Sequence, residues 1–135
     1  MSLDGVWQIA TDVNNSGRDK NWNRQMAEDA LDCDVPSILQ QTFPDYHGLV
    51  WYWREFEVPA TFQQTGRYLL HFDQVDYYGE FWLNGTFIGK HEGGETPFSF
   101  DVTETIRTDA PNFLAVRVLN PTHEEIDGIV FSQTA

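Results

Sequence analysis

The chain has 135 residues, which suits one domain with a sizeable core. Hydrophobic residues make up 41% and aromatic residues 15%, with five Trp, and this excludes a disordered chain. Twenty-one acidic residues against eight scattered basic ones give a formal net charge of −13. Such a surface repels phosphate backbones and so excludes nucleic acid as a partner, and it disfavours an anionic membrane.

In chain order, the first run is "GVWQIA" at residues 5–10, a short β-branched and aromatic stretch that reads as a strand. Residues 14–34 break the rhythm. Trp22, Met26 and Ala30 recur every fourth residue with Ala27 and Leu31 beside them, so the expectation is a long polar loop carrying a short helix. Cys33 in "LDCDVP" is the only cysteine; no internal disulfide is possible, and it reads as a small structural residue. Residues 35–40 form a weaker, edge-like strand candidate because of Pro36. Strands follow at 50–58, 67–74, 79–83, 86–91, 98–102 and 113–119. The fold class is therefore all-β, an antiparallel β-sandwich or jelly roll, with one decorated loop. No internal repeat is visible, and no apolar run approaches the roughly 20 residues that a membrane span needs. No secretory leader pattern opens the chain, and the compartment is left open, cytoplasmic or exported.

Asn84-Gly85-Thr86 reads two ways, as an acceptor for N-linked sugar or as a hairpin turn. "EFWL" and "TFIG" flank Asn84-Gly85 as two strands, and both central residues tolerate positive φ, so the turn reading is preferred. Asn14-Asn15-Ser16 is a second acceptor pattern in the polar loop, and Pro121 disqualifies Asn120-Pro121-Thr122.

Several patterns touch on chemistry. Asp12, Asn14, Ser16 and Gly17 alternate like the start of a calcium loop. Position twelve is Asn23 instead of a bidentate Glu, so a polar loop is the better reading. The histidines at 47, 71, 91 and 123 show no short ligand spacing, which gives zinc no support and implies no cofactor. Glycoside hydrolysis needs two carboxylates about 5–10 Å apart. With 21 acids chance pairs abound, and "HEEIDG" at 123–128 reads as a solvated loop. Sugar binding needs an exposed aromatic face beside planar polar groups. Trp7, Trp51, Trp53 and Trp82 sit in strand patterns and read as packing residues. Period two puts Trp51 and Trp53 on one face, and Tyr52, Arg54 and Phe56 on the other. One face is expected to meet the core and the other a neighbouring domain. Trp22, in the polar loop, is a candidate anchor or ligand contact, with anchoring preferred. Asp45, Tyr46 and His47 in "FPDYHG" are further contact candidates in what otherwise reads as a turn.

Five ordered stretches resemble the N-terminal sugar-binding sandwich of glycoside hydrolase family 2, which holds β-galactosidases, β-glucuronidases and β-mannosidases. They are "LDGVWQIATD", Gly17…Trp22…Val35-Pro36-Ser37, "DYHGLVWYWREFEVP", "VDYYGEFWLNGTFIGKHEGGETPFSFDVTETI" and "NFLAVRVLNP". Trp53 stands where a basic residue is common, so Arg54 alone carries positive charge there and joins the contact candidates. The resemblance implies a galactose-binding-domain-like jelly roll that packs on an Ig-like domain and a (β/α)₈ barrel. It also implies that the barrel supplies both catalytic carboxylates, so this stretch by itself is inactive. The implied substrate is a carbohydrate with a terminal β-linked sugar. A stand-alone carbohydrate-binding module or lectin-like sandwich is the alternative.

Overall fold

The structure, a computed structural model, describes residues 1–35, 48–62, 66–75, 78–93, 97–120 and 126–134. Nine strands are present among the described residues. They are β1 (Gly5–Thr11), β2 (Leu31–Val35), β3 (Gly48–Phe56), β4 (Arg67–Val75), β5 (Tyr78–Leu83), β6 (Thr86–Glu92), β7 (Phe98–Asp101), β8 (Asn112–Asn120) and β9 (Ile126–Thr134). Six form one antiparallel sheet in the order β2-β1-β3-β8-β5-β6, and three form a second in the order β7-β4-β9. The all-β sandwich expected from the short aromatic runs is the fold observed.

Strand alternation builds the core. On the larger sheet Trp7, Ile9, Val50, Tyr52, Phe56, Phe81, Leu83, Leu114, Val116 and Val118 point inward and are buried, and Tyr68, Leu70 and Phe72 of β4 meet them. Aromatic rings fill the centre. Phe72 lies 4.7 Å from Phe81 and 5.2 Å from Phe98, and Phe100 lies 5.0 Å from Phe81. Each fully buried side chain of this size contributes about 1.5–3 kcal/mol of transfer free energy.

The hairpin between β5 and β6 turns at Asn84 (φ 53°) and Gly85 (φ 84°), the paired positive φ values of a two-residue turn that follows the sheet twist. The Asn84 side chain is committed to that corner. Its amide nitrogen donates to Thr105 O (3.1 Å) and Asn112 Oδ1 (2.9 Å), and its oxygen accepts from Phe113 N (2.9 Å). An acceptor asparagine needs a free amide nitrogen, and this one ties the hairpin to β8.

Three expectations change. The short helix is absent. Residues 12–30 form successive turns, because Asn15 (φ 52°) and Asn21 (φ 61°) leave the helical region and Trp22 N reaches back to Gly17 O. The early edge strand lies at Leu31–Val35, where Cys33 and Val35 point inward and Asp32 and Asp34 outward; residues 36–40 are outside those described. The last correction concerns the solvated loop expected at 123–128. Residues 126–128 instead begin β9, which pairs along the whole of β4. The acidic front of that segment hid the strand.

Candidate functional site

The second face of the larger sheet carries Ala10, Trp51, Trp53, Trp82 and Ala115, and it is covered by the chain's own loop at residues 12–30 rather than left for a neighbour. Trp51 and Trp53 are fully buried and Trp82 nearly so. The indoles form a layer, Trp51 stacked on Trp82 at 5.1 Å and on Trp53 at 6.2 Å. Trp22 closes the layer edge-on, 6.0 Å from Trp51 and 5.7 Å from Trp53. Edge-to-face contacts of this kind place the positive ring edge on a negative ring face.

Each buried indole N–H on β3 finds an acceptor in the loop. Trp51 Nε1 donates to Asp12 Oδ2 (2.9 Å) and Trp53 Nε1 to Trp22 O (2.7 Å). Asp12, itself 3% exposed, also accepts from Ser16 N (2.8 Å) and Gly17 N (3.0 Å). The alternation of Asp12, Asn14, Ser16 and Gly17 is thus the pattern of a carboxylate-capped turn. Gly17 is required there, since a Cβ would stand 2.5 Å from both Trp22 and Trp51. Further along, Arg117 of β8 donates to Glu80 Oε1 (2.6 Å) and to Asn15 Oδ1 (2.8 Å), so a nearly buried ion pair holds the loop's first turn. Asn23 Nδ2 donates to Gly85 O (3.3 Å), which fastens the loop to the hairpin.

Trp22 is therefore an anchor, yet only a half-buried one. A cleft of about 510 Å³ opens beside it, lined by Lys20, Trp22, Gln25, Met26, Glu28 and Asp29. A smaller one of about 210 Å³ lies on the Asp12 side and shares Lys20, Trp22 and Asp29. Lys20 Nζ sits 5.5 Å above the Trp22 ring. An indole flanked by an amide, two carboxylates and an ammonium presents the groups that sugar hydroxyls and C–H faces recognise.

Arg54 does not join it. Arg54 follows Trp53 and so lies on the opposite face. Its Nη1 donates to Glu55 O (3.0 Å), and its Nε lies 3.4 Å from Leu3 O, at the rim of the inter-sheet core. Asp45, Tyr46 and His47 lie outside the described residues. Lys20, Gln25, Glu28 and Asp29 were not singled out by sequence, because nothing in a polar run marks which of its residues gather round one indole.

Cys33 lies in the core as a free thiol. Burial first, then Asp34 and Asp32, push its pKa up from 9.0 to about 12, which suppresses the nucleophilic thiolate.

Comparison with known proteins agrees with this architecture. The family model described as "Glycosyl hydrolases family 2, sugar binding domain" matches residues 33–133. A β-glucuronidase of Rattus norvegicus is 34% identical over 119 residues, covering 78% of this chain and 18% of the relative. A β-galactosidase of Thermoanaerobacter pseudethanolicus is 36% identical over 94 residues, 64% of this chain and 12% of the relative. Among solved structures, the β-glucuronidase of Ruminococcus gnavus superposes with a TM-score of 0.82 at 29% identity, covering 89% of this chain and 21% of that one. The chain thus spans about a fifth of the length of the β-glucuronidases it matches.

Proposed function

Because the chain belongs to the sugar-binding domain family of family 2 glycosyl hydrolases, we propose that it is the accessory domain of a glycosidase that removes terminal β-linked sugars. In this reading the sandwich packs against an Ig-like domain and a (β/α)₈ barrel and contributes one wall to the substrate pocket. The loop at residues 12–30 supplies that wall, with Trp22 stacking on a sugar ring and Gln25, Glu28 and Asp29 taking hydroxyl groups. The barrel supplies the acid and the nucleophile, so the chain itself holds and orients substrate and moves no proton.

The observation that carries the proposal is the match over residues 33–133 to a sugar-binding domain, in relatives of which this chain covers about a fifth. The purified chain is expected to leave chromogenic β-glucuronides and β-galactosides intact. Turnover that persists through repeated purification would overturn the accessory role. In the parent enzyme, Trp22→Ala is expected to raise KM about tenfold with a smaller change in kcat, because lost stacking removes binding common to ground and transition states. An unchanged KM would remove Trp22 from the substrate wall.

A further inference from the structure

Two of the chain's eight basic residues share one cleft beside the β5–β6 hairpin. Arg24 and Arg107 line a space of about 220 Å³ together with Asn84, Gly85 and Phe113. We propose that this cleft binds the carboxylate of a sugar acid. The idea takes its ligand class from the sugar-binding reading above and places a second, separate site on the domain.

The cleft is built from fixed parts. The Arg24 stem crosses the hairpin so closely that a Cβ at Gly85 would lie 3.0 Å from its Cγ. Asn23, the preceding residue, is bonded to Gly85 O. The Arg107 backbone is held on both sides by Asn112, which accepts from Arg107 N (2.8 Å) and donates to Arg107 O (2.8 Å). Both arms are thus anchored at their bases while the guanidinium heads stay exposed.

Among the described residues the ion pairs of the chain involve Arg18, Arg67, His71 and Arg117, and none involves Arg24 or Arg107. The Arg107 head donates from Nη1 to Pro111 O at 3.5 Å. In a chain with 21 acidic residues, two cations lining one cleft with no carboxylate paired to them among the described residues leave a local excess of positive charge. A guanidinium fork matches a carboxylate in geometry and charge, and such bonds are about twice as strong as neutral ones.

The rest of the lining restricts the ligand. Both N–H donors of the Asn84 amide are committed, so it offers no donor to a competing neutral group. The half-buried Phe113 ring supplies an apolar wall for a C–H face. The volume is below the roughly 300–1,000 Å³ of sites for drug-sized ligands, so it admits a single ring rather than an oligosaccharide.

The test is an NMR titration of the 135-residue chain, reading the Nε–H signals of Arg24 and Arg107 and the indole N–H of Trp22. D-glucuronate is the ligand, and D-glucose and acetate are the controls. Saturable millimolar shifts at both arginines are expected with glucuronate, and about tenfold weaker binding with either control. Arg24→Gln and Arg107→Gln should each weaken glucuronate binding about fivefold with the chain still folded, and raising salt to about 0.5 M should weaken it further. No saturable shift with glucuronate overturns the proposal. Glucose binding equally well shows that the carboxylate is not read, and acetate binding equally well shows that the ring is not read; either result also overturns it. Shifts of Trp22 with neutral sugar report on the wall proposed for residues 12–30, so that reading and this one fail separately.

Discussion

The two faces of the larger sheet are both buried but are built by different chemistry. The inner face joins Phe72, Phe81, Leu70, Leu114 and Val116 across two sheets mainly by apolar packing, with the Trp7 indole N–H bonded to Leu3 O at its margin. The outer face buries three indoles and an arginine, and the loop that covers it is fixed to them by hydrogen bonds at Asp12, Asn15 and Trp22. Apolar packing is non-directional and tolerates volume-conserving change, whereas the outer face depends on acceptors at particular places. The inner face therefore sets whether the chain folds, and the outer face sets the shape of the loop that carries the clefts.

Three substitutions or conditions separate the two faces. The largest effect belongs to the inner face. Phe81→Ala opens a cavity between the sheets and is expected to cost about 3–5 kcal/mol, read as a lower midpoint in urea for the whole cooperative transition. A loss confined to the loop would show that the faces are not divided in this way.

Next comes Asp12→Ala, which strands the Trp51 indole N–H and two backbone N–H groups. The expected cost is about 2–3 kcal/mol, since each buried unsatisfied donor loses about 1–3 kcal/mol and the loop can partly open to water. Amide exchange should rise over residues 12–30 while the β4 and β8 amides stay protected. Uniform acceleration would mean that the loop is part of the global folding unit.

Near neutral pH the smallest effect belongs to a pH dependence of the inner face, which grows only above pH 9. The folded pKa of Cys33 is raised, so its contribution to stability is complete below the unfolded value of 9.0. That contribution falls as pH rises towards about 12. Wild type should lose stability over that window relative to Cys33→Ala. At pH 8 a thiol reagent should label Cys33 at a rate limited by opening of the structure. Labelling as fast as in the denatured chain would place the thiol at the surface.

Much of this was legible from sequence because strand alternation states burial directly. Trp51 and Trp53 on one face and Tyr52 and Phe56 on the other is what period two predicts, and Asn84-Gly85 names its own turn. What covers Trp51 and Trp53 was not legible. A spacing of four from Trp22 to Met26 to Ala30 suggests a helix, but Asn15 and Asn21 adopt positive φ and the loop follows the indoles. Asp32 and Asp34 masked the alternation of β2, because charge on its outward positions hides a strand from a hydrophobicity count, and the acidic run "HEEID" masked the start of β9 in sequence. The candidate site divided similarly. Trp22 stood out as an aromatic in a polar run, whereas the meeting of Arg24 with Arg107 depends on a hairpin contact between distant parts of the chain.

Four of the five tryptophans stand with ring centroids between 5.1 and 6.2 Å of a neighbour. Transition dipoles at that separation couple, and the expected outcome is a pair of circular dichroism bands of opposite sign that a single indole lacks. Trp22 belongs to the loop and its partners to the sheet. The molecule thus carries its own optical gauge of whether residues 12–30 are seated, readable without a label in the isolated chain and in any enzyme that contains it.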